Sequence, residues 1–168
     1  ERLGDIKLVV GEHNTSLKYW NDALLLWKQL DEKETVARLH RKMSWVLYGM
    51  GDLEKAKECL DKAMKTLETE PESVELAKTY GLMAGRFWAT GNMAEALPWA
   101  EKALELAKKL NDFEGIAESY FFLGTISGAA GDLQKGVECL ERALKIALDN
   151  SCTEIALRAY NNLGSSLG

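Results

Sequence analysis

The segment Gly131-Asp-Leu-Gln-Lys-Gly-Val-Glu-Cys-Leu-Glu-Arg-Ala-Leu144 decides the fold, because the same chain contains two close copies of it. The copies are Gly51-Asp-Leu-Glu-Lys-Ala-Lys-Glu-Cys-Leu-Asp-Lys-Ala-Met64 and Gly91-Asn-Met-Ala-Glu-Ala-Leu-Pro-Trp-Ala-Glu-Lys-Ala-Leu104, and all three align without a gap. Their first residues are 40 positions apart, and one further step back reaches a degenerate copy at Gly11. A fixed period of this length predicts stacked units, each of them a pair of helices.

The segments between these copies repeat in the same register. One column is aromatic or His, the next is large and apolar, and the third is small. Their members are His40, Tyr80, Tyr120 and Tyr160; Met43, Met83, Leu123 and Leu163; and Ser44, Ala84, Gly124 and Gly164. The large residue fills the space between helices, and the small one lets a neighbouring backbone come close. The repeat therefore predicts close helix-to-helix packing at fixed positions.

The pattern Tyr120-x-x-Leu123-Gly124, followed by Gly136, Leu140 and Ala143, resembles the tetratricopeptide repeat. The resemblance extends over residues 1–168, although the usual repeat has about 34 residues. The longer repeat is similar to those of kinesin light chains, Leu-Gly-Asn repeat regulators and the sensor arrays of bacterial regulatory ATPases and cyclases. The resemblance implies an all-α, right-handed α-solenoid of antiparallel helical hairpins that works by binding a protein or peptide.

The helices are predicted from their capping signals. Asp52, Asn92 and Asp132 each follow a turn glycine and are expected to be N-caps. Capping boxes are expected to begin at Asp31, Asn111 and Ser151, and Pro71 is placed in the first turn of the corresponding helix. The predicted helices are 13–29, 33–49, 53–68, 72–90, 93–109, 113–129, 133–149 and 153–167.

We interpret residues 1–168 as a single array of about four 40-residue repeats that is incomplete at both ends. Only ten residues precede Gly11, and the chain stops within the first helix of a pair. Repeat arrays usually end in capping elements that cover the apolar surface of the last unit. We therefore expect this chain to be a fragment of a longer protein.

Composition and motifs argue against several function classes. A net charge of −5 and a pI near 5.2 argue against nucleic-acid binding, and no apolar segment is long enough for a membrane. Three cysteines without CxxC spacing predict no disulfide framework or zinc site, and they favour reduced thiols in a cytoplasmic protein. No phosphate-binding loop, dinucleotide fingerprint or nucleophile–base set is present, and His40 occupies the aromatic core column. We expect no catalytic residues, no cofactor and no metal.

A second set of positions on the first helix of each pair keeps its orientation but varies in residue type. In the tetratricopeptide family the first helices line a concave groove, so the resemblance places the binding surface here. The predicted groove residues are Arg38, Arg41, Lys42, Trp45, Tyr48, Lys78, Trp88, Phe121, Arg158, Asn161, Asn162 and Ser165. Resemblance to long-repeat proteins adds a peptide-gripping role for Asn162, while Lys42, Leu82 and Phe122 occupy the equivalent positions.

These residues are basic and aromatic, with Glu118 as the acidic exception. The pattern predicts an acidic peptide or protein partner, although a merely solvated charged face has the same composition. Two other hypotheses remain open. The chain is a ligand-sensing array that regulates an ATPase, a cyclase or a transcription regulator, or it is a spacer that self-associates through exposed repeat ends.

Overall fold

The structure is a computed structural model that describes the backbone of residues 1–167 and the side chains of residues 1–165. Nine α-helices and no strands occur in this range. The helices are α1 (Arg2–Val9), α2 (His13–Gln29), α3 (Lys33–Gly49), α4 (Leu53–Leu67), α5 (Val74–Ala89), α6 (Met93–Lys109), α7 (Phe113–Ala129), α8 (Leu133–Asp149) and α9 (Thr153–Leu167). The all-α fold of helical hairpins is confirmed, and six of the predicted helices have the predicted bounds.

The chain divides into two compact units. The first, Glu1–Pro71, contains α1 to α4, and the second begins at Glu72 and contains α5 to α9. Each unit has its own apolar core, formed around Trp20 and Leu39 in the first and around Ile126 and Leu140 in the second. We call α1, α3, α5, α7 and α9 the first helices, and α2, α4, α6 and α8 the second helices. The single array over residues 1–168 stays a prediction.

The turn from each first helix to its second helix uses one repeated device. Gly11, Gly51, Gly91 and Gly131 have φ angles between 76° and 94°, a left-handed region that glycine enters at little cost. In the last three of these turns the following residue, Asp52, Asn92 or Asp132, accepts a hydrogen bond from the backbone N–H three positions later. The predicted N-caps are therefore confirmed.

The turn from a second helix to the next first helix differs from the prediction. Asp31, Asn111 and Ser151 have φ angles of 56°, 55° and 59°, so each belongs to the left-handed end of the preceding helix. Glu32 and Asp112 are the residues at the N-cap positions that follow, and neither makes a side-chain cap bond. The predicted capping boxes are therefore wrong, because these residues end one helix and do not open the next.

Pro71 occupies the column of these left-handed residues. Its ring holds φ near −65°, so the turn found elsewhere cannot form here. Helix α4 ends at Leu67, and α5 begins at Val74 with the Ser73 hydroxyl as its cap. The prediction that Pro71 lies in the first turn of a helix is wrong, and α5 begins two residues later than predicted.

The small columns mark the closest approach within each hairpin. A Cβ atom added to Gly124 of α7 would lie 2.8 Å from the carbonyl oxygen of Gly136 in α8. In the first unit, the Ser44 hydroxyl donates to the Ala56 carbonyl at 2.7 Å. The expected role of the small residues is confirmed, since they let two helix backbones nearly touch.

A candidate binding surface on the first helices

The predicted binding residues lie on first helices in both units, and each unit is described separately. On α3, the predicted core positions His40, Met43 and Ser44 are buried, and Ala37 and Leu47 on the same side are buried as well. The predicted binding positions lie between them on the same helix and are half-buried or exposed. The division of α3 into a core side and an outer side is therefore confirmed.

In the first unit the outer side of α3 displays two large aromatic side chains. Trp45 is 54% exposed and Tyr48, one turn later, is 40% exposed. Arg41, one turn before Trp45, is half-buried. Exposed Trp and Tyr provide rigid contact area at a low cost in conformational entropy, which is why they are common at the centre of interfaces.

Two cations of α3, Arg38 and Lys42, are bound to the carboxylates of Glu1, which immediately precedes α1, and of Asp5 within α1. Arg38 donates two hydrogen bonds of 3.2 Å to the two carboxylate oxygens of Glu1. Lys42 Nζ lies 3.1 Å from Glu1 Oε1 and 2.9 Å from Asp5 Oδ1. Burial acts to raise the pKa of Glu1, but the hydrogen bonds from Arg38 and Lys42 outweigh it, and the pKa is lowered. Two of the three cations predicted on this side of α3, Arg38 and Lys42, are therefore paired with carboxylates of the same unit.

Predicted cations of the second unit are also paired with carboxylates of a neighbouring first helix. Lys78 Nζ on α5 lies 3.1 Å from Glu114 Oε2 on α7, and Arg158 on α9 lies 3.7 Å from Glu118 on α7. Glu118 is the acidic exception already noted beside the predicted residues. Glu1, Asp5 and Glu114 must be added to it, because α1 and the start of α7 supply carboxylates from positions outside the predicted set.

Phe121 differs from its predicted place. Its side chain is only 7% exposed and belongs to the core of the second unit. The Arg158 guanidinium lies over its ring, with the central carbon 4.2 Å from the ring centroid. The prediction that Phe121 lines an open groove is corrected, because the neighbouring first helix covers the ring with a cation.

The remaining predicted residues lie at the surface of the second unit. Asn161 and Ser165 on α9 are exposed, and Trp88 near the end of α5 is 39% exposed. The side-chain N–H of Asn162 donates a hydrogen bond of 3.0 Å to the Thr125 hydroxyl on α7. The family-derived peptide-gripping role for Asn162 stays a prediction, because this amide already makes a bond within the unit.

One pair of columns makes the contact between consecutive first helices in both units. The two residues are 37 positions apart in each case, and the contacts are Lys42 with Asp5, Phe122 with Gly85, and Asn162 with Thr125. A Cβ atom on Gly85 would lie 3.3 Å from the Phe122 ring. A search for oppositely charged residues at this spacing could have found Asp5, which lies outside the predicted set.

His40 is a buried group outside this surface. Its Nδ1 is buried and makes no hydrogen bond, and burial together with the nearby ammonium groups of Lys28 and Lys62 lowers its pKa to about 4. Among the described residues, no group of His, Cys, Asp and Glu side chains is placed to hold a metal ion. Within the same range, none of the helices has the length and apolarity needed to cross a membrane.

The family model of the tetratricopeptide repeat matches residues 1–69, 50–109 and 75–149. Most of the chain is therefore covered, and this chain belongs to the tetratricopeptide repeat family. Proteins of this family are generally non-catalytic scaffolds for protein interaction. No curated protein sequence matches the chain.

Three solved structures with the same fold are similar to the chain. The first is a protein from Pyrococcus horikoshii of the class "Signal Transduction ATPase with Numerous Domains", which has a tetratricopeptide repeat sensor. It matches with a TM-score of 0.79 and 20% sequence identity, and the alignment covers 99% of this chain and 25% of that protein. The second is aspartyl phosphate phosphatase F from Bacillus subtilis, with a TM-score of 0.78 and 16% sequence identity. The alignment covers 97% of this chain and 43% of that protein. The third is BtubC from P. vanneervenii, with a TM-score of 0.74 and 20% sequence identity. The alignment covers 89% of this chain and 62% of that protein. This chain thus spans less than two thirds of each, and the likeness concerns the fold.

Proposed function

We propose that this chain is a non-enzymatic scaffold that binds an extended or helical segment of a partner protein on the outer side of its first helices. The observation that carries this proposal is the exposed pair Trp45 and Tyr48 on α3. Scattered exposed apolar residues are ordinary, but an exposed Trp and Tyr one turn apart on a first helix form a ready contact surface. Membership of a family of interaction scaffolds supports the same proposal.

The ion pairs within each unit limit how much binding free energy an acidic partner would gain from the cations. A partner carboxylate must replace Glu1 or Asp5 at Arg38 and Lys42, and Glu114 or Glu118 in the second unit. Half-exposed ion pairs are worth less than about 1 kcal/mol, so exchanging one for another changes the free energy of binding little. Aromatic burial then supplies most of the affinity, while acidic residues in the partner act mainly on its association rate. An acidic partner therefore remains part of the proposal in this limited role.

A second candidate function is a ligand-sensing array within a larger regulatory protein. It is favoured by the similarity to the Pyrococcus horikoshii protein, whose repeats are described as a sensor. The two candidates differ in what the surface binds. A scaffold takes a protein segment with or without an attached output domain, whereas a sensor requires such a domain whose activity changes when its ligand is added. A cytoplasmic location is part of both proposals and rests on the reduced cysteines.

The test is selection of peptides from a random display library on the immobilised chain, followed by fluorescence anisotropy. We expect Trp45→Ala to weaken the selected peptides by about thirtyfold or more, the size of an interface hot spot. Leu53→Ala on α4 is the matched control, because Leu53 has the same 54% exposure but lies on a second helix. Peptides that bind the Trp45→Ala variant as well as the original chain would overturn the proposal.

A further inference from the structure

Two cations of the second unit converge on the side chain of Tyr120, which is half-buried on α7. Lys108, near the end of α6, places its ammonium nitrogen 5.2 Å from the centroid of the Tyr120 ring. Arg142 on α8 places the central carbon of its guanidinium group 5.7 Å from the same point. The two cations therefore come from different second helices and meet at a ring of the first helix between them in the chain. We call Lys108, Tyr120 and Arg142 the Tyr120 cluster.

The two cations of the Tyr120 cluster form no ion pair with a carboxylate among the described residues. Glu138, one helical turn before Arg142, accepts a hydrogen bond of 3.2 Å from Gln134 instead. Both cations are exposed to solvent. Two positive charges held at one ring without a counter-charge repel each other, and an anion bound between them would remove this repulsion. The cluster thus differs from the cations of the first helices described above, which are paired with carboxylates.

The effect of the two cations appears at the hydroxyl of Tyr120. Burial acts to raise the pKa of this hydroxyl, but its interactions with Lys108 and Arg142 outweigh burial, and the pKa is lowered. A lowered pKa of a tyrosine means that the surroundings favour a negative charge at this place. An anion beside the hydroxyl would meet the same surroundings, and the protonated hydroxyl would donate a hydrogen bond to it.

The first unit carries a related arrangement at the same columns of the repeat. Lys28, His40 and Lys62 stand two repeats before the members of the Tyr120 cluster. Burial and the ammonium groups of Lys28 and Lys62 lower the pKa of His40, so these two cations also act on the ring of their first helix. In both units, therefore, the repeat directs two cations of consecutive second helices towards one ring.

The residues of the middle repeat show that this arrangement depends on residue type. Glu68 occupies the column of Lys108 in the sequence, so a carboxylate replaces the first cation. Lys102, in the column of Arg142, lies over the ring of Trp99, with its ammonium nitrogen 4.5 Å from the ring centroid. Pairing of helices in a repeat is therefore not sufficient to bring two cations together.

We propose that the Tyr120 cluster binds a dianionic phosphate group, either as free phosphate or as an organic phosphate monoester. The guanidinium group of Arg142 offers two parallel N–H donors, and the ammonium group of Lys108 is a compact point charge. The Tyr120 hydroxyl supplies a further donor. The two positive charges match the charge of about −2 on a phosphate monoester near neutral pH. A carboxylate, with one negative charge, would leave one of the two cations uncompensated.

This proposal does not depend on the proposed function. The Tyr120 cluster belongs to the second unit and involves second helices, whereas Trp45 and Tyr48 lie on a first helix of the first unit. Loss of peptide binding in the Trp45→Ala variant leaves the phosphate proposal untouched. Loss of phosphate binding in a variant of the cluster likewise leaves the peptide surface of α3 untouched.

The test is titration of the isotope-labelled chain with inorganic phosphate and, separately, with N-acetyl-phosphoserine amide at constant ionic strength. We expect saturable shifts of the amide resonances of Lys108, Tyr120 and Arg142. N-acetyl-aspartate amide, which carries a carboxylate in place of the phosphate, should bind at least about tenfold more weakly. Tighter binding of the phosphoserine compound assigns the cluster to an organic phosphate, and tighter binding of inorganic phosphate assigns it to the free ion.

Substitutions test each member of the cluster. Lys108→Gln and Arg142→Gln should each weaken phosphate binding at least about tenfold, because each removes a charged hydrogen-bond donor. Lys108→Glu, which introduces the residue of the middle repeat, should abolish binding. Tyr120→Phe keeps the ring and removes only the hydroxyl, so it should weaken binding by roughly threefold to tenfold.

Lys135→Gln is the matched control. Lys135 is an exposed lysine of α8, two helical turns before Arg142, and its substitution removes the same charge from the same helix. This variant should bind phosphate as the original chain does, and circular dichroism checks that every variant keeps its helices.

Three results would overturn the proposal. The first is the absence of saturable shifts at the Tyr120 cluster with either phosphate compound. The second is equal phosphate binding by the Lys108→Gln, Arg142→Gln and Lys135→Gln variants, because the shifts would then report a general attraction of anions to the surface. The third is equal binding of the aspartate compound, since the cluster would then not distinguish a dianion from a monoanion.

Discussion

The Lys42 ammonium lies 2.9 Å from the Asp5 carboxylate, and three repeats further along the Asn162 amide lies 3.0 Å from the Thr125 hydroxyl. The two pairs join the same columns of consecutive first helices, once with charges and once with neutral groups. In between, Phe122 meets Gly85 in the same columns through apolar contact. The repeat therefore fixes where first helices touch, while the residue types decide how strongly the contact responds to salt.

The charged and neutral contacts should differ in their response to ionic strength. A double-mutant cycle with Lys42→Met and Asp5→Asn should give a coupling free energy below about 1 kcal/mol, falling towards zero in 1 M salt. The cycle with Asn162→Leu and Thr125→Val should give a coupling that salt leaves unchanged. Urea unfolding measures both. A salt-insensitive coupling for Lys42 and Asp5 would show that packing, such as Lys42 over Trp20, governs this contact.

Gly124→Leu should destabilise the chain. The new side chain would meet the α8 backbone at under 3 Å, and overpacking of this kind costs about 1–3 kcal/mol. Gly164→Leu is the matched variant in the same column, with open space around it, and it should keep or slightly raise the free energy of unfolding. Denaturant unfolding of both proteins checks the pair. Equal decreases in the free energy of unfolding would mean that the contact with α8 does not determine the cost of the substitution.

The stability of the first unit should fall as the pH is lowered from about 6.5 to about 4. The pKa of His40 is about 4 in the folded chain against 6.5 for an ordinary histidine, so the unfolded chain binds more protons in this window. The loss is at most about 1.4 kcal/mol per pH unit. His40→Tyr restores the residue of the other repeats and should flatten the profile. His13→Gln, at an exposed histidine of α2, should not. Parallel profiles for all three proteins would contradict this.

The left-handed residues between repeats make a further test possible. Ser151 has a φ of 59°, a conformation that costs an ordinary residue about 1–2 kcal/mol. Ser151→Gly should raise the free energy of unfolding by at most about 1–2 kcal/mol, and Ser151→Val should lower it, because a β-branched residue fits this conformation less well than Ser does. Thr153→Val is the control, because Thr153 is an exposed residue that begins the following helix. If Ser151→Val and Thr153→Val have equal effects, backbone conformation does not limit this turn.

The first-helix surface could be placed from the sequence, but its electrostatics could not. The period of 40 assigns Arg38, Trp45 and Arg158 to one side of their helices, because helical spacing depends only on local geometry. The partners of the cations belong to other helices. Glu1 pairs with Arg38, and Glu118 pairs with Arg158. These contacts join separate elements, so they cannot be predicted from the residue spacing along one helix. Phe121 was misplaced for the same reason, since a neighbouring helix buries it.

By itself the sequence determined the helix pairs, their period and their glycine turns, because caps, left-handed glycines and small columns act within a few residues of each other. Pro71 belongs to the sequence as well, since a fixed φ near −65° forbids the turn of the other repeats. Only the tertiary structure decided which charged side chains are paired and which aromatic side chains remain exposed. Those properties depend on atoms that are far apart in the chain and meet only when helices pack.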